Sequence, residues 1–167
     1  LTYRDELNYL SDINFPGIAD KQLVEMQMKA KGFLKNMNSI HDHHSLFELL
    51  KYRVVHAGKI SSQEEVEKLN DLVLSEMGLV TQKPAGSFAA QKLHLLFQSF
   101  FFTHTGEYRS ALKTFTSLNR LFEENIQLLD HPPLDYLSAL NGILDSLHML
   151  GLFEQVSFYI AKTEQLD

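Results

Sequence analysis

The chain has 167 residues, of which 44% are hydrophobic and 22% charged. That composition suits one globular domain with a real core and argues against disorder. With no cysteine, disulfides, thiolate catalysis and thiolate-ligated metal sites are excluded. A net charge of −6 disfavours a general phosphate-backbone binder, so no nucleic-acid partner is expected.

No apolar run approaches the roughly 18–20 residues that a membrane span requires, so no membrane partner is expected. A signal-peptide pattern is absent and a cytoplasmic place is favoured. Leu rather than Met at position 1 fits an excised or processed fragment, in which a targeting segment would leave no trace.

In chain order, Leu1, Tyr3, Leu7 and Leu10 predict a short helix over 1–10, and Asn14-Phe15-Pro16-Gly17 then turns the chain. From Asp20, a good N-cap, the residues Leu23, Met26, Ala30, Phe33, Leu34 and Met37 follow a helical period. Lys29, Lys31 and Lys35 occupy the solvated faces of that amphipathic helix. Asn36 and Asn38 weaken its end, and Ile40-His41-Asp42-His43-His44 reads as a connector. Ser45 and Glu48 have capping-box spacing, which starts a helix at Leu46. It is apolar at Leu46, Phe47, Leu49, Leu50, Val54 and Val55, and Gly58 is expected to end it. Ser61 and Ser62, with Glu64 and Glu65 three residues on from each, announce the next helix. Its predicted buried stripe is Val66, Leu69, Leu72, Val73 and Met77, and Gly78 closes it.

Pro84 and Gly86 mark a loop. The segment 88–103 is apolar nearly all round, through Leu93, Leu95, Leu96, Phe97, Phe100, Phe101 and Phe102, as in a helix covered on several sides. Gly106 ends it and 108–129 returns antiparallel. Asp130-His131-Pro132-Pro133 reads as a stiff linker, followed by a last hairpin, 134–150 and 153–165, around Gly151. No strand-like alternation occurs. The expectation is all-α, about seven helices in a single domain over 1–167.

The chain is organised around Gly106-Glu107-Tyr108-Arg109-Ser110-Ala111-Leu112-Lys113-Thr114-Phe115, with a looser copy 45 residues on, from Gly151 to Ile160. A glycine ends one helix, an aromatic two residues later wedges into the corner, and a small residue three further on admits the next helix closely. Two copies suggest stacked hairpins. The pattern resembles the tetratricopeptide repeat. Gly106, Tyr108 and Ala111 match that family's Gly-x-Tyr-x-x-Ala corner and Phe115 the aromatic beyond it. Ser99 and Phe102 match the small and aromatic positions of the preceding helix. In the second copy Gly151, Phe153 and Leu147 fit, whereas Val156 replaces the alanine and Leu144 the small residue. The spacing of 45 exceeds the usual period of about 34, and the closing proline is absent.

The resemblance covers about 88–167. It implies an α-α superhelix of antiparallel helical hairpins (84–129 and 134–167) behind divergent N-terminal helices (1–81), with a concave binding groove. Aligning on Gly151 places Ser138, Asn141, Asp145 and His148 on the groove side. Independently of any family, Asn141, Asp145 and His148 are spaced i, i+4 and i+7 and share one face of an otherwise apolar helix. That stripe is either a plain solvated side or a site for the backbone of an extended segment. The functional expectation is a non-enzymatic protein- or peptide-binding scaffold. The alternative is a ligand-sensing regulatory domain, resembling the bacterial peptide-receptor regulators built on extended tetratricopeptide-like repeats. Phe158, Tyr159 and Ile160 have no predicted cover, so self-association through the C-terminal helix, or further helices after Asp167, is expected.

Other chemistry is sparse. His41-Asp42-His43-His44 is the one dense cluster of metal-type side chains, and His56 would approach it if the following helix folded back. Adjacent side chains diverge and no His-Glu-x-x-His motif is present, so no metal is expected. Phe97, Phe100, Phe101 and Phe102 suit core packing better than a ligand pocket. His94 and His104 read as partly buried packing residues, and Glu64/Glu65 and Glu123/Glu124 fall at helix ends. Without a nucleophile elbow, phosphate-binding glycine loop or dinucleotide fingerprint, no catalytic residue and no cofactor is expected.

Overall fold

The computed structural model describes residues 20–57, 62–82, 87–129 and 132–164. The helix expected over 1–10, the turn at Pro16-Gly17, the cap at Gly58 and the loop at Pro84 and Gly86 lie outside them. Among the described residues the fold is all-α, with seven α-helices and no strand. They are α1 (Asp20–Ala57), α2 (Gln63–Glu67), α3 (Asn70–Gln82), α4 (Phe88–His104), α5 (Tyr108–Glu124), α6 (Pro132–Leu150) and α7 (Phe153–Glu164), with a 3-10 turn at Ile126–Leu128. None is long and apolar enough to cross a membrane.

Two compact units divide the chain, Leu1–His41 and Asp42–Asp167. In the first, Lys29, Lys31 and Lys35 are exposed as expected, but so are Phe33, Leu34 and Met37, which the helical period had assigned to a buried stripe. All other packing described below belongs to the second unit.

The expected connector at 40–44 is helical: α1 runs unbroken for 38 residues. Ser, Asp, Asn and His disfavour helix by only some tenths of a kcal/mol each, and no proline interrupts the segment. The buried positions His43, Leu50 and Val54 keep one helical phase through it. Ser45 and Glu48 therefore sit inside a helix rather than capping one. Farther on, Ser62 Oγ accepts from Glu65 N at 3.3 Å and Ser62 N donates to Glu65 Oε2 at 3.0 Å, the predicted capping box. The helix it opens ends after one turn at Glu67, and Asn70 starts another that continues through Gly78. A glycine held at helical dihedrals costs about 1 kcal/mol, too little to stop a packed helix. Pro132 and Pro133 form the first turn of α6 instead of a linker, a place where proline loses no intrahelical bond. The segment 108–129 is shorter as a helix than expected, since α5 ends at Glu124.

The two glycine corners are alike in detail. Gly106 and Gly151 have φ of 77° and 70°. Glu107 N donates to Phe102 O at 2.9 Å and Gly106 N to Thr103 O at 3.4 Å; Leu152 N donates to Leu147 O at 2.9 Å and Gly151 N to His148 O at 3.0 Å. Both are Schellman caps, which need a left-handed residue at that position. Between and around them α4 meets α5, α5 meets α6, and α6 meets α7.

Three apolar clusters hold the second unit. Leu50 and Val54 of α1 meet Leu69 and Leu72, which flank the start of α3, and Phe97 and Phe101 of α4. Leu118 and Phe122 of α5 meet Tyr136 and Ala139 of α6 and Leu129. Leu140, Ile143 and Leu147 of α6 meet Leu112, Phe115, Val156 and Tyr159. Ala111, the small corner residue, is fully buried. Phe115 stands against the backbone of Gly142, where a Cβ would clash with the edge of its ring. Of the five phenylalanines of α4, Phe97 and Phe101 are buried in the first cluster with Phe100 and Phe102 beside them, and Phe88 packs against the second. Met77, expected in the buried stripe, is exposed.

Candidate functional site

Helix α6 has two sharply different faces. Ala139, Leu140, Ile143 and Leu147 are fully buried, which anchors the helix in two of the clusters. Ser138, Asn141, Asp145 and His148 are exposed on the other side. Their spacing of 3, 4 and 3 residues stacks them along one face. At the C-terminal end His148 meets Phe153 edge-on, with ring centroids 5.8 Å apart. Phe153 is exposed, so it does not fill the corner as expected; Met149 and Leu152 beside it are exposed as well. The result is a row of hydrogen-bonding groups leading into an apolar tip. The half-buried salt bridge of α6 stays off this row: Asp135 accepts from Lys92 of α4 at 2.8 Å on a different side.

The histidine segment behaves otherwise. His41 and His44 are exposed while His43 is buried, so neighbouring side chains diverge as their adjacency requires. His56 lies 13 residues on along the same helix, roughly 20 Å away at 1.5 Å per residue, and its ring stacks on Tyr52. Among the described residues no group of three or more His, Asp or Glu side chains is arranged to hold a metal ion. His104, like His56, bonds back to the carbonyl one turn earlier and is exposed.

What the segment does build was not foreseen. Glu76 of α3 is 1% exposed, and His94 Nδ1 of α4 hydrogen-bonds its Oε1. His43 Nδ1 of α1 lies 3.4 Å from the same oxygen, without hydrogen-bond geometry. The two imidazoles meet edge-on at 6.3 Å between centroids. Burial holds the His43 imidazole below its ordinary value of 6.5; Glu76 and Asp42 pull upward, His94 pushes down further, and burial prevails. The signal for Glu76 was its phase, since it follows Leu69 and Leu72 at i+7 and i+4 on the buried side of α3. A carboxylate in an apolar phase announces a partner from elsewhere in the fold.

No family model, curated protein or solved structure matches this chain.

Proposed function

We propose that the chain is a non-enzymatic binding module, in which the exposed face of α6 holds an extended protein or peptide segment. The observation that carries this is the row Ser138, Asn141, Asp145 and His148, exposed on a helix whose opposite face is solid core. Such a helix is rigid, so its polar groups are presented without an ordering cost at each encounter. Asn141 offers both a donor and an acceptor, and Asp145 an acceptor, the two needs of a backbone without a sheet partner. Phe153 and Leu152 at the tip would take an apolar side chain of the same segment. Paired Schellman corners 45 residues apart, with Ala111 and Ser99 buried at the expected small positions, support the tetratricopeptide-like hairpin reading that gives this face its groove.

The test is a photo-crosslinking amino acid placed at Ser138, used in lysate of the source cells with the unaltered chain and with the Asn141→Ala/Asp145→Ala pair. We expect one crosslinked protein whose recovery falls by about tenfold or more in the pair, the scale of one or two lost hydrogen bonds to a charged or amide group. Identical crosslink profiles at unchanged melting temperature would place the site elsewhere.

A further inference from the structure

Helices α1, α3 and α4 meet through three matched stripes. α1 presents His43, Leu50 and Val54; Leu69, Leu72 and Glu76 run into and along α3; α4 presents His94, Phe97 and Phe101. Each stripe has apolar residues along most of its length and one titratable group at one end. The titratable ends coincide, because α3 runs opposite to α1 and α4. The three-helix core is thus apolar along its length, with its buried titratable groups at a single end.

The titratable groups acting on His43 are Glu76 of α3, His94 of α4 and its own neighbour Asp42 on α1. Among the described residues no lysine or arginine pairs with Glu76. The carboxylate is served by His94, whose Nδ1 hydrogen-bonds it. His43 is the group left without a bond at Nδ1. A proton arriving on His43 would put a charge on a buried ring whose nearest carboxylate oxygen already has a hydrogen bond from His94.

We propose that the His43–Glu76–His94 cluster is a proton-operated latch, which fastens α1 to α3 and α4 at neutral pH and loosens that end on mild acidification. The sign follows from linkage. His43 has a lower proton affinity in the closed site than in water, so an open state with the ring hydrated binds more protons as pH falls below 6.5. Closure therefore has its full strength above that value and weakens below it. The opposite end of the same interface does not respond. There Arg53 donates to Asp71 at 2.6 Å, and that hydrogen bond holds the Asp71 carboxyl below its ordinary 3.8, out of the range in question. Acid thus loosens the His43 end while the Arg53 end stays paired, and opening would bare the flanks of Phe47 and Leu50. Among the described residues of α5, α6 and α7 no histidine, carboxylate, lysine or arginine is buried, so neither the α5–α6 nor the α6–α7 cluster contains a group equivalent to His43.

Native-state hydrogen exchange on the full chain between about pH 7.5 and 5.0, corrected for intrinsic rates, reads the opening of each helix. Below pH 6.5 the protection of residues 43–57 and 70–82 should fall by up to about tenfold per pH unit, while α5 and α6 keep theirs. His43→Gln should abolish that slope, and His41→Gln, an exposed neighbour on the same helix, should leave it. In the unaltered chain the His43 ring proton, followed by NMR, should titrate below 6.5. A slope shared equally by α1 and α6, a slope that survives His43→Gln, or a ring titrating at or above 6.5 would each overturn the latch. Should His43→Gln fail to fold, the ring titration and the helix-by-helix comparison decide alone.

Discussion

The α1–α3–α4 core and the α5–α6 core bury the same kinds of side chain and reach opposite solutions at their margins. The first ends in a carboxylate between two imidazoles. The second buries no histidine or carboxylate among the described residues, and its distinctive contact is Phe115 against the bare backbone of Gly142. An apolar margin fixes geometry by shape, with little dependence on solution conditions. A buried ionisable margin ties the same geometry to proton activity, because burial disfavours the charged form of a group such as His43. Two neighbouring cores can therefore share one chain and differ in what disturbs them.

The largest expected effects test what the two cores share. Leu50→Ala in the first and Leu118→Ala in the second should each lower stability by about 2–5 kcal/mol, since both side chains are fully buried. Chemical denaturation measures both. If only one variant is destabilised on that scale, the cores are not equivalent in packing.

Next comes the close contact of the apolar core. Helix propensity alone predicts that Gly142→Ala gains about 1 kcal/mol. The added methyl instead meets the Phe115 ring, which is itself held between two clusters, so a net loss of about 1–3 kcal/mol is expected. Adding Phe115→Leu to Gly142→Ala should recover part of it in a double-mutant cycle. Purely additive losses would separate the glycine from the ring. Ala111→Leu, at the fully buried corner between α4 and α5, should destabilise on the same scale of about 1–3 kcal/mol. An unchanged melting temperature there would overturn the corner assignment.

A smaller effect distinguishes the cores by pH. The loss caused by Leu118→Ala should be the same at pH 7.5 and 5.5, because its cluster includes no histidine or carboxylate. The stability of the unaltered chain should decline over that interval through His43, and in Glu76→Gln the decline should change in slope, since the group that draws protons toward His43 has lost its charge. Denaturation at both pH values reads the difference. The smallest effects lie on the surface: Asn141→Ala and Asp145→Ala should each shift stability by no more than about 0.5 kcal/mol. A larger loss would mean that the exposed row of α6 supports the fold rather than waiting for a partner. Phe158 and Ile160, exposed on α7 as the sequence led one to expect, invite a parallel check by sedimentation, with Phe158→Glu reducing any self-association.

The division between legible and illegible features follows the range of the forces involved. The two glycine corners, the Ser62–Glu65 capping box, the buried face of α6 and its exposed polar row were all readable. Each depends on residues within about three helical turns of one another, and the left-handed region at Gly106 and Gly151 has a strong local preference. The continuity of α1 through His41-Asp42-His43-His44 was not readable. Weak local preferences for a turn there yield to the packing of His43, Leu50 and Val54 against helices that come later in the chain. The same holds for Glu76, whose partners lie 33 residues before and 18 after it, and for Gly142, whose reason for lacking a side chain lies 27 residues upstream at Phe115. Sequence by itself determined where helices could turn and which faces had to be buried. Only tertiary structure decided which buried faces meet, because a nonlocal contact stabilises the chain only after its closure has brought the partners together.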